Sequence, residues 1–493
     1  MSLGSEKEAV QNKILEYCST IGWEYKNPEE ALILRNGESN LILKEIFTNQ
    51  ILKLNPKLDF ENAQDLIKKL EKIPSNIEGN LTAWEYLKGL KQEFIRSENR
   101  EVNIKLLDTE NIDNNTFHIT DELKFISGNT TNRYDLVFYI NGFPVLLIET
   151  KASYKIDGLI EALEQVKRYH RETPEAFSLL QLFSITQLID FYYSATWNFS
   201  SKDLNRWKHK DKFNFEQLIK EFFDRKNILK LITDYILFVK KDDRLSKVVL
   251  KPHQSRAVDK ILQRAKDEKK KRGLIWHTQG SGKTYTMITA ANLILNNPEF
   301  KNPTVIMLVD RNELEQQLFN NLSSVGIENV KVAMSKRNLQ RLLIEDYRGL
   351  IVSTIHKFHL MPNDINKRKN IFVFIDEAHR TTEGDLGTYL MAALPNATII
   401  GFTGTPRDKT DHGKGTFITF GIDDPPYGYL DKYSILESIE DGTTLKINYT
   451  LAENSLLPSK EILEKEFFNL KETEGISDIE TLNRAIQKAT TLR

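Results

Sequence analysis

A chain of 493 residues, 40% apolar and 28% charged, is long enough for two or three domains with their own cores, and its many aromatics argue against long disorder. With 68 Lys and Arg against 69 Asp and Glu, the formal net charge of −1 excludes a global positive field, so any nucleic-acid contact must use local basic surfaces. The single cysteine, Cys18, excludes an intrachain disulfide, and neither a signal-peptide pattern nor a bilayer-length apolar run is present, so a soluble cytoplasmic protein without membrane contact is expected.

In chain order, an amphipathic helix is expected over 6–22, then helices near 59–72 and 82–96. From about residue 133 the pattern turns to strands: "RYDLVFYI", then Asn141-Gly142, then "FPVLLIETK", a hairpin signal of two apolar runs joined by Asn-Gly. A helix follows at 158–172, then two strand candidates, "FSLLQLFSIT" and "LIDFYYSA". Residues 201–245 read as a connector with short helices. Basic clusters at 206–212 and 264–272 fit either a nucleic-acid contact or a solvated surface. Beyond them the runs "LIWHT", "TVIMLVD", "GLIVST", "IFVFIDEAH" and "ATIIGFTGT" alternate with helical segments. That alternation predicts a mostly parallel sheet, which binds ligands at the carboxyl ends of its strands.

The first of these runs leads into Thr278-Gln279-Gly280-Ser281-Gly282-Lys283-Thr284, and a helix pattern follows. Glycines let backbone N–H groups turn inward around phosphates, and the helix N-terminus adds its positive end. Lys283 would reach the β and γ phosphates of ATP, and the Thr284 hydroxyl would ligate Mg²⁺. His277 stands where the strict loop pattern has its first glycine. Ninety residues on, "IFVFIDEAHR" places Asp376 and Glu377 at a strand end. Asp376 could hold Mg²⁺, and Glu377 could orient and deprotonate an attacking water.

The hairpin carries a second acidic set: Asp135 on one strand, Glu149 and Lys151 on the other. Residues two apart on a strand share a face, so Glu149 and Lys151 point the same way, and Asp135 could complete the group across the hairpin. Two carboxylates can hold Mg²⁺ against a scissile phosphate, with the lysine stabilising charge. Glu-x-Lys by itself carries little information, because it recurs at Glu122/Lys124 and Glu268/Lys270. On the next helix, Gln165 and Tyr169 are four apart and share a face.

Together "GSGKT", "DEAH" and "GFTGTP" resemble the first motor domain of superfamily 2 helicases. The resemblance implies that Thr403 and Thr405 couple nucleotide state to nucleic-acid grip. It also implies that Gln254, in "LKPHQSRAVDKIL", reads adenine, and that 308–317 and 351–358 lie along the nucleic-acid backbone path. Asp…Glu-x-Lys followed by Gln-x-x-x-Tyr resembles the PD-(D/E)xK nuclease domain of type I restriction enzyme motor subunits, with Tyr134 in place of the usual proline. In that family "HTQGSGKT" is common, and the layout matches from about residue 6 to 450. Glu8 matches an acidic residue that some members add to the metal site, or is a solvated glutamate. Gln165 and Tyr169 are open between DNA contact and packing.

The expected fold class is therefore α/β: a PD-(D/E)xK nuclease domain, with a mixed sheet flanked by helices, over 1–235 with its connector, a RecA-like P-loop domain with a mostly parallel sheet over 236–435, and the start of a second motor domain over 436–493. The resemblance implies ATP and Mg²⁺ as cofactors, and double-stranded DNA plus methyltransferase (M) and specificity (S) subunits as partners. No Gln-x-x-Gly-Arg-x-x-Arg motif follows Pro406. A longer subunit, whose first part alone binds ATP but turns it over very slowly, is thus expected. Two other readings remain: a self-contained helicase–nuclease without methyltransferase partners, and a DNA-binding remnant with inert sites.

Overall fold

The computed structural model describes residues 10–95, 99–152, 157–188, 190–208, 214–241, 244–309, 329–380, 386–408 and 415–445. They form two compact units, one built mainly of residues up to Leu262, the other mainly of Gln263–Lys283 and residues from Ala333 onward.

In the first unit the N-terminal helix runs Asn12–Thr20 and buries Ile14 and Cys18, four apart on one face. Strand β1 (Glu24–Tyr25) follows. The helix expected at 59–72 is Phe60–Glu71, where Asp59 and Asn62 exchange side-chain-to-backbone bonds in a capping box. The helix expected at 82–96 is instead Ile77–Leu87, started by Asn76, whose side chain accepts from the Gly79 N–H. Gly89, at φ 69°, ends it, and Gln92–Ile95 becomes β2, paired antiparallel with β3 (Arg100–Asn103).

The main sheet of this unit joins β1 to β4 (Phe117–Ser127), β5 (Thr130–Ile140), β6 (Phe143–Thr150), β7 (Leu182–Thr186), β8 (Phe191–Ala195) and β9 (Asn205–Trp207), in the order β1-β4-β5-β6-β7-β8-β9. It is mixed: β1–β4 and β6–β7 are parallel and the other pairs antiparallel. The predicted hairpin is β5–β6, with Ile140 opposite Phe143 and φ positive at both Asn141 and Gly142, which gives the two-residue turn the twist such a hairpin needs. Helix Gly158–Glu172 covers the crossover from β6 to β7 and has the predicted bounds. The apolar run at 177–186 divides. Pro174 opens a short helix, Pro174–Leu179, at a position where no N–H is needed, and only the second half is strand.

The 201–245 region contains the expected helices, Phe215–Phe222 and Arg225–Thr233, but does more than connect. β9 extends the sheet, and Phe222 packs its ring against Phe191, Tyr193 and Trp207. A further hairpin, β10 (Ile236–Lys241) with β11 (Arg244–Val249), is anchored by Lys247. Its buried ammonium donates to Asn80 Oδ1, Thr196 Oγ1 and both oxygens of Gln181, and burial drives its pKa well down.

The second unit contains β12 (Arg272–His277), β13 (Thr304–Val309), β15 (Gly349–Thr354), β16 (Ile371–Ile375), β17 (Thr398–Thr403) and β18 (Asp431–Tyr433); a short strand, β14 (Val330–Val332), lies between β13 and β15 in the chain. Across the sheet the order runs β15-β13-β16-β17-β12-β18, and each of these pairings is parallel, as the alternating pattern predicts. Ile306, Leu308, Ile351, Val373, Ile375 and Ile399 form one apolar face of the core. Because the strands are parallel, the carboxyl ends of β12, β16 and β17 share one edge. That edge gathers the loop after His277, the acidic pair after Ile375 and the segment after Thr403. Strand β18 is among the strands the sequence pattern did not mark, as are β4, β10, β11 and β14.

Candidate active sites

Asp135 sits at a break in both its ladders. Pairing with β4 runs through Asp121↔Leu136 and Leu123↔Tyr134 and skips the rung of Asp135, where Glu122 adopts φ 47°. Pairing with β6 ends at Leu136↔Ile148, one step short of Glu149. Such irregularities re-aim side chains. Here they let Asp135 Oδ2 accept from both the backbone N–H (2.7 Å) and the hydroxyl (2.8 Å) of Thr150.

Glu149 is fully buried, and Lys151 Nζ donates to its Oε1 at 2.5 Å. Lys151 also donates to Gln165 Oε1 at 3.0 Å, Gln165 in turn donates to the Tyr169 hydroxyl, and that hydroxyl donates to the Arg133 carbonyl at 2.8 Å. Gln165 and Tyr169 thus hold Lys151 in place, and the buried Tyr169 ring packs edge-to-face on Tyr134, whose own hydroxyl pairs with Thr173. Burial, reinforced by the neighbouring Asp135 charge and opposed by Lys151, pushes the Glu149 carboxyl up to about 8. Glu149 Oε2 is buried and makes no hydrogen bond of good geometry, although the Tyr169 hydroxyl is near enough to favour the charged carboxylate. An orphaned buried carboxylate oxygen beside a second carboxylate is a donor set that fits a divalent cation. No group of three or more His, Cys, Asp or Glu suited to a metal occurs among the described residues, so the set is these two carboxylates. Glu8 lies outside the described residues.

Sequence reasoning missed two members of this cluster. Thr150, the middle residue of Glu-x-Lys, holds Asp135. Gln11, at the start of the first helix, donates from Nε2 to Thr150 Oγ1 at 3.2 Å and is itself buried. Neither carries a signal in sequence, because Thr is ordinary in a strand and Gln ordinary at a helix start.

In the second unit the loop after β12 has φ 78° at Gly280 and 80° at Gly282, backbone that glycine adopts without strain and that aims N–H groups inward. Ser281 N–H donates to the Thr278 carbonyl, closing the turn. Lys283 Nζ lies against the carbonyls of His277 (3.3 Å) and Thr278 (3.4 Å). Burial pushes its ammonium down while the charges of Glu377 and Asp376 pull it up. Asp376 shows the counterpart: burial and then the Glu377 charge raise its carboxyl, and Lys283 opposes them. Lys283, Asp376 and Glu377 therefore form one electrostatic group. Glu377 has φ 48°, a left-handed conformation that is strained for a non-glycine residue and clusters at functional sites.

His379 Nδ1 lies 2.9 Å from Thr403 Oγ1, which also accepts from the Thr405 N–H. This joins the acidic strand end to the segment after β17. Thr284 follows Lys283 in helix Lys283–Asn296. Gln254 is buried, and its Oε1 accepts from the Lys251 N–H, which caps helix Pro252–Lys266. The backbone-path residues 310–317 lie outside the described residues, while 351–358 form the end of β15 and a short 3-10 turn, Ile355–Phe358.

A glycine-lined loop between a strand and a helix, with its lysine facing an Asp-Glu pair at the edge of a parallel sheet, defines a P-loop nucleotide-binding domain. Residues 253–480 match the SWI2/SNF2 ATPase family, and residues 4–202 match the family described as the type I restriction enzyme R protein N terminus. The chain thus joins an R-protein N-terminal domain to a SWI2/SNF2 ATPase domain, and it is related to the endonuclease subunits of type I restriction enzymes. The HindI endonuclease subunit of Haemophilus influenzae is 29% identical over 92% of this chain and 46% of its own length. The SsaAORF53P endonuclease subunit of Staphylococcus saprophyticus is 31% identical over 76% of this chain and 41% of its own. The chain spans about half the length of the curated relatives it matches. A solved Sulfolobus solfataricus SWI2/SNF2 ATPase core in complex with dsDNA aligns with 41% of this chain and 38% of its own at 16% identity and a TM-score of 0.28, too low to bear on the fold. No helix among the described residues is long and apolar enough to cross a membrane.

Proposed function

We propose that this chain is the ATP-dependent DNA translocase and endonuclease part of a type I restriction–modification system, acting in the cytoplasm on double-stranded DNA with methyltransferase and specificity subunits. The division of labour follows the expected boundaries: a nuclease domain with its connector over 1–235, a first motor domain over 236–435 and the start of a second over 436–493.

The observation that carries the nuclease reading is the convergence of buried Glu149, Lys151 and Tyr169 with half-buried Gln165 in one hydrogen-bonded network beside Asp135. Packing alone does not explain it: burying a carboxyl oxygen without a hydrogen-bond partner costs stability, as groups kept for a ligand do. Asp135 and Glu149 would hold Mg²⁺, which when bound polarises the scissile phosphate. Lys151 donates to Glu149 and opposes the repulsion that Asp135 exerts on it.

In the motor domain Thr278, Gly280, Ser281, Gly282 and Lys283 would cradle the phosphates of ATP, and Thr284 with Asp376 would hold its Mg²⁺. Glu377 would take the proton of the attacking water. Gln254 would recognise adenine, and Thr403 and Thr405 would pass the nucleotide state to the DNA-binding path. The Thr403–His379 bond supports that coupling role.

The test is nicking of supercoiled circular DNA by the 493-residue chain with Mg²⁺, comparing wild type with Asp135→Ala. Wild type is expected to nick and the variant to lose at least about a hundredfold, the scale on which positioned catalytic groups act. Equal nicking by the two would remove the nuclease reading.

A further inference from the structure

We propose that His277 and Asp431 are a positioning pair that fixes the entry of the phosphate loop, and that histidine stands in the first-glycine place for this reason. The inference rests on reading the loop as a triphosphate site and adds two residues to it that no sequence pattern assigns.

His277 Nε2 lies 2.8 Å from Asp431 Oδ2, and both side chains are almost completely buried, at 0% and 1% exposure. The pair is one of several ties between the loop and β18. Strands β12 and β18 run parallel, with Ile275 opposite Asp431 and His277 opposite Tyr433. The next N–H of the loop, Thr278, donates to the Tyr433 carbonyl at 3.0 Å. On the neighbouring rung, Lys432 Nζ sits 4.3 Å from the Trp276 ring centroid. Every residue from Trp276 to Thr278 is therefore held by a contact from β18. The carbonyls that receive Lys283 Nζ are those of His277 and Thr278, the residues so fixed.

A glycine at 277 would free the backbone where the strand becomes the loop. It would also leave the Asp431 carboxylate buried without its ring partner. A loop held in its binding shape spends less of the binding energy on ordering, so the pair acts on nucleotide affinity through preorganisation and touches no phosphate itself.

The experiment measures the affinity of the 493-residue chain for a fluorescent ATP analogue, in wild type, His277→Gly, Asp431→Ala, their double variant, Asp431→Asn and Lys283→Ala, each with a melting curve. Each of the first two substitutions is expected to weaken binding about tenfold, the net worth of one buried charge-assisted hydrogen bond. The double variant should be no weaker than either single one, because the two residues act as a unit. Asp431→Asn keeps an acceptor for the ring and should retain most of the affinity that Asp431→Ala loses. Binding at wild-type strength in His277→Gly, independent addition in the double variant, or equal loss in Asp431→Asn and Asp431→Ala would overturn the pairing. If the glycine or alanine variants do not fold, the asparagine variant decides: wild-type-like melting with affinity as low as in Lys283→Ala would also overturn it. Lys283→Ala tests the site itself. Undiminished binding there would strike the triphosphate reading, and the pairing with it.

Discussion

At the scale of single residues, the chemistry rests on charges placed where burial changes their behaviour. Glu149 titrates ordinarily near 4.5 and is raised to about 8 by burial and by Asp135. Between those values the folded chain keeps a proton that the unfolded chain releases, so this carboxyl contributes stability at low pH that is lost as pH rises through about 8. Denaturant melts of wild type without added metal should show a fall in stability across that window, and Glu149→Gln should flatten it. An unchanged pH slope in the variant would contradict this account of the residue. Thr150 offers a second check. Thr150→Val keeps shape and backbone but removes the hydroxyl bond to Asp135, so DNA nicking should fall about tenfold, while Thr150→Ser should stay near wild type. Equal nicking by the two variants would show that the hydroxyl does not matter. The charged members of this cluster could be read from sequence because Asp135, Glu149 and Lys151 sit in an apolar hairpin and are followed by Gln165 and Tyr169, four apart on the next helix. Thr150 and Gln11 could not, because their role exists only once two distant segments meet.

Among the elements, the hairpin β5–β6, the helix Gly158–Glu172 and the parallel strands β12, β13, β15, β16 and β17 were legible because strong periodicity and turn chemistry agreed. Where the signals were mixed, local detail decided. Gly89 ended a helix that composition alone would have continued to 96, and Pro174 turned half of an apolar run into a helix. Strand β18 is only three residues long and carries Asp and Lys, so nothing marked it as part of a buried sheet. The helix Gly158–Glu172 also carries His170, whose ring packs among Phe177, Trp197 and Phe199, and burial lowers it from 6.5 to about 4. His118 on β4 is lowered to about 4 as well, chiefly by burial, with Glu24 pulling the other way. For both, the unfolded chain takes up the proton first, so stability present above pH 6.5 is lost as pH falls towards 4. His170→Phe should make the acid limb of a pH–stability curve shallower, and a limb unchanged in that variant would contradict the assignment.

For the molecule as a whole, each of the two units carries its own candidate site. The first unit has a mixed sheet with its acidic cluster where the β5–β6 ladder ends, and the second has a parallel sheet with its loop and acidic pair at one edge. The parallel sheet was foreseen because alternating strands and helices imply parallel pairing; the mixed sheet was expected from the resemblance, and Asn-Gly marked only one of its hairpins. The central claim is that these are separate sites, one for a triphosphate and one for a DNA strand. The most direct measurement crosses them: binding of an ATP analogue and Mg²⁺-dependent DNA nicking, both assayed without ATP hydrolysis, in Lys283→Ala and in Asp135→Ala. The account predicts that Lys283→Ala loses nucleotide binding and still nicks, while Asp135→Ala binds nucleotide normally and does not nick. Nicking that survives Asp135→Ala, or nucleotide binding that survives Lys283→Ala, would contradict it.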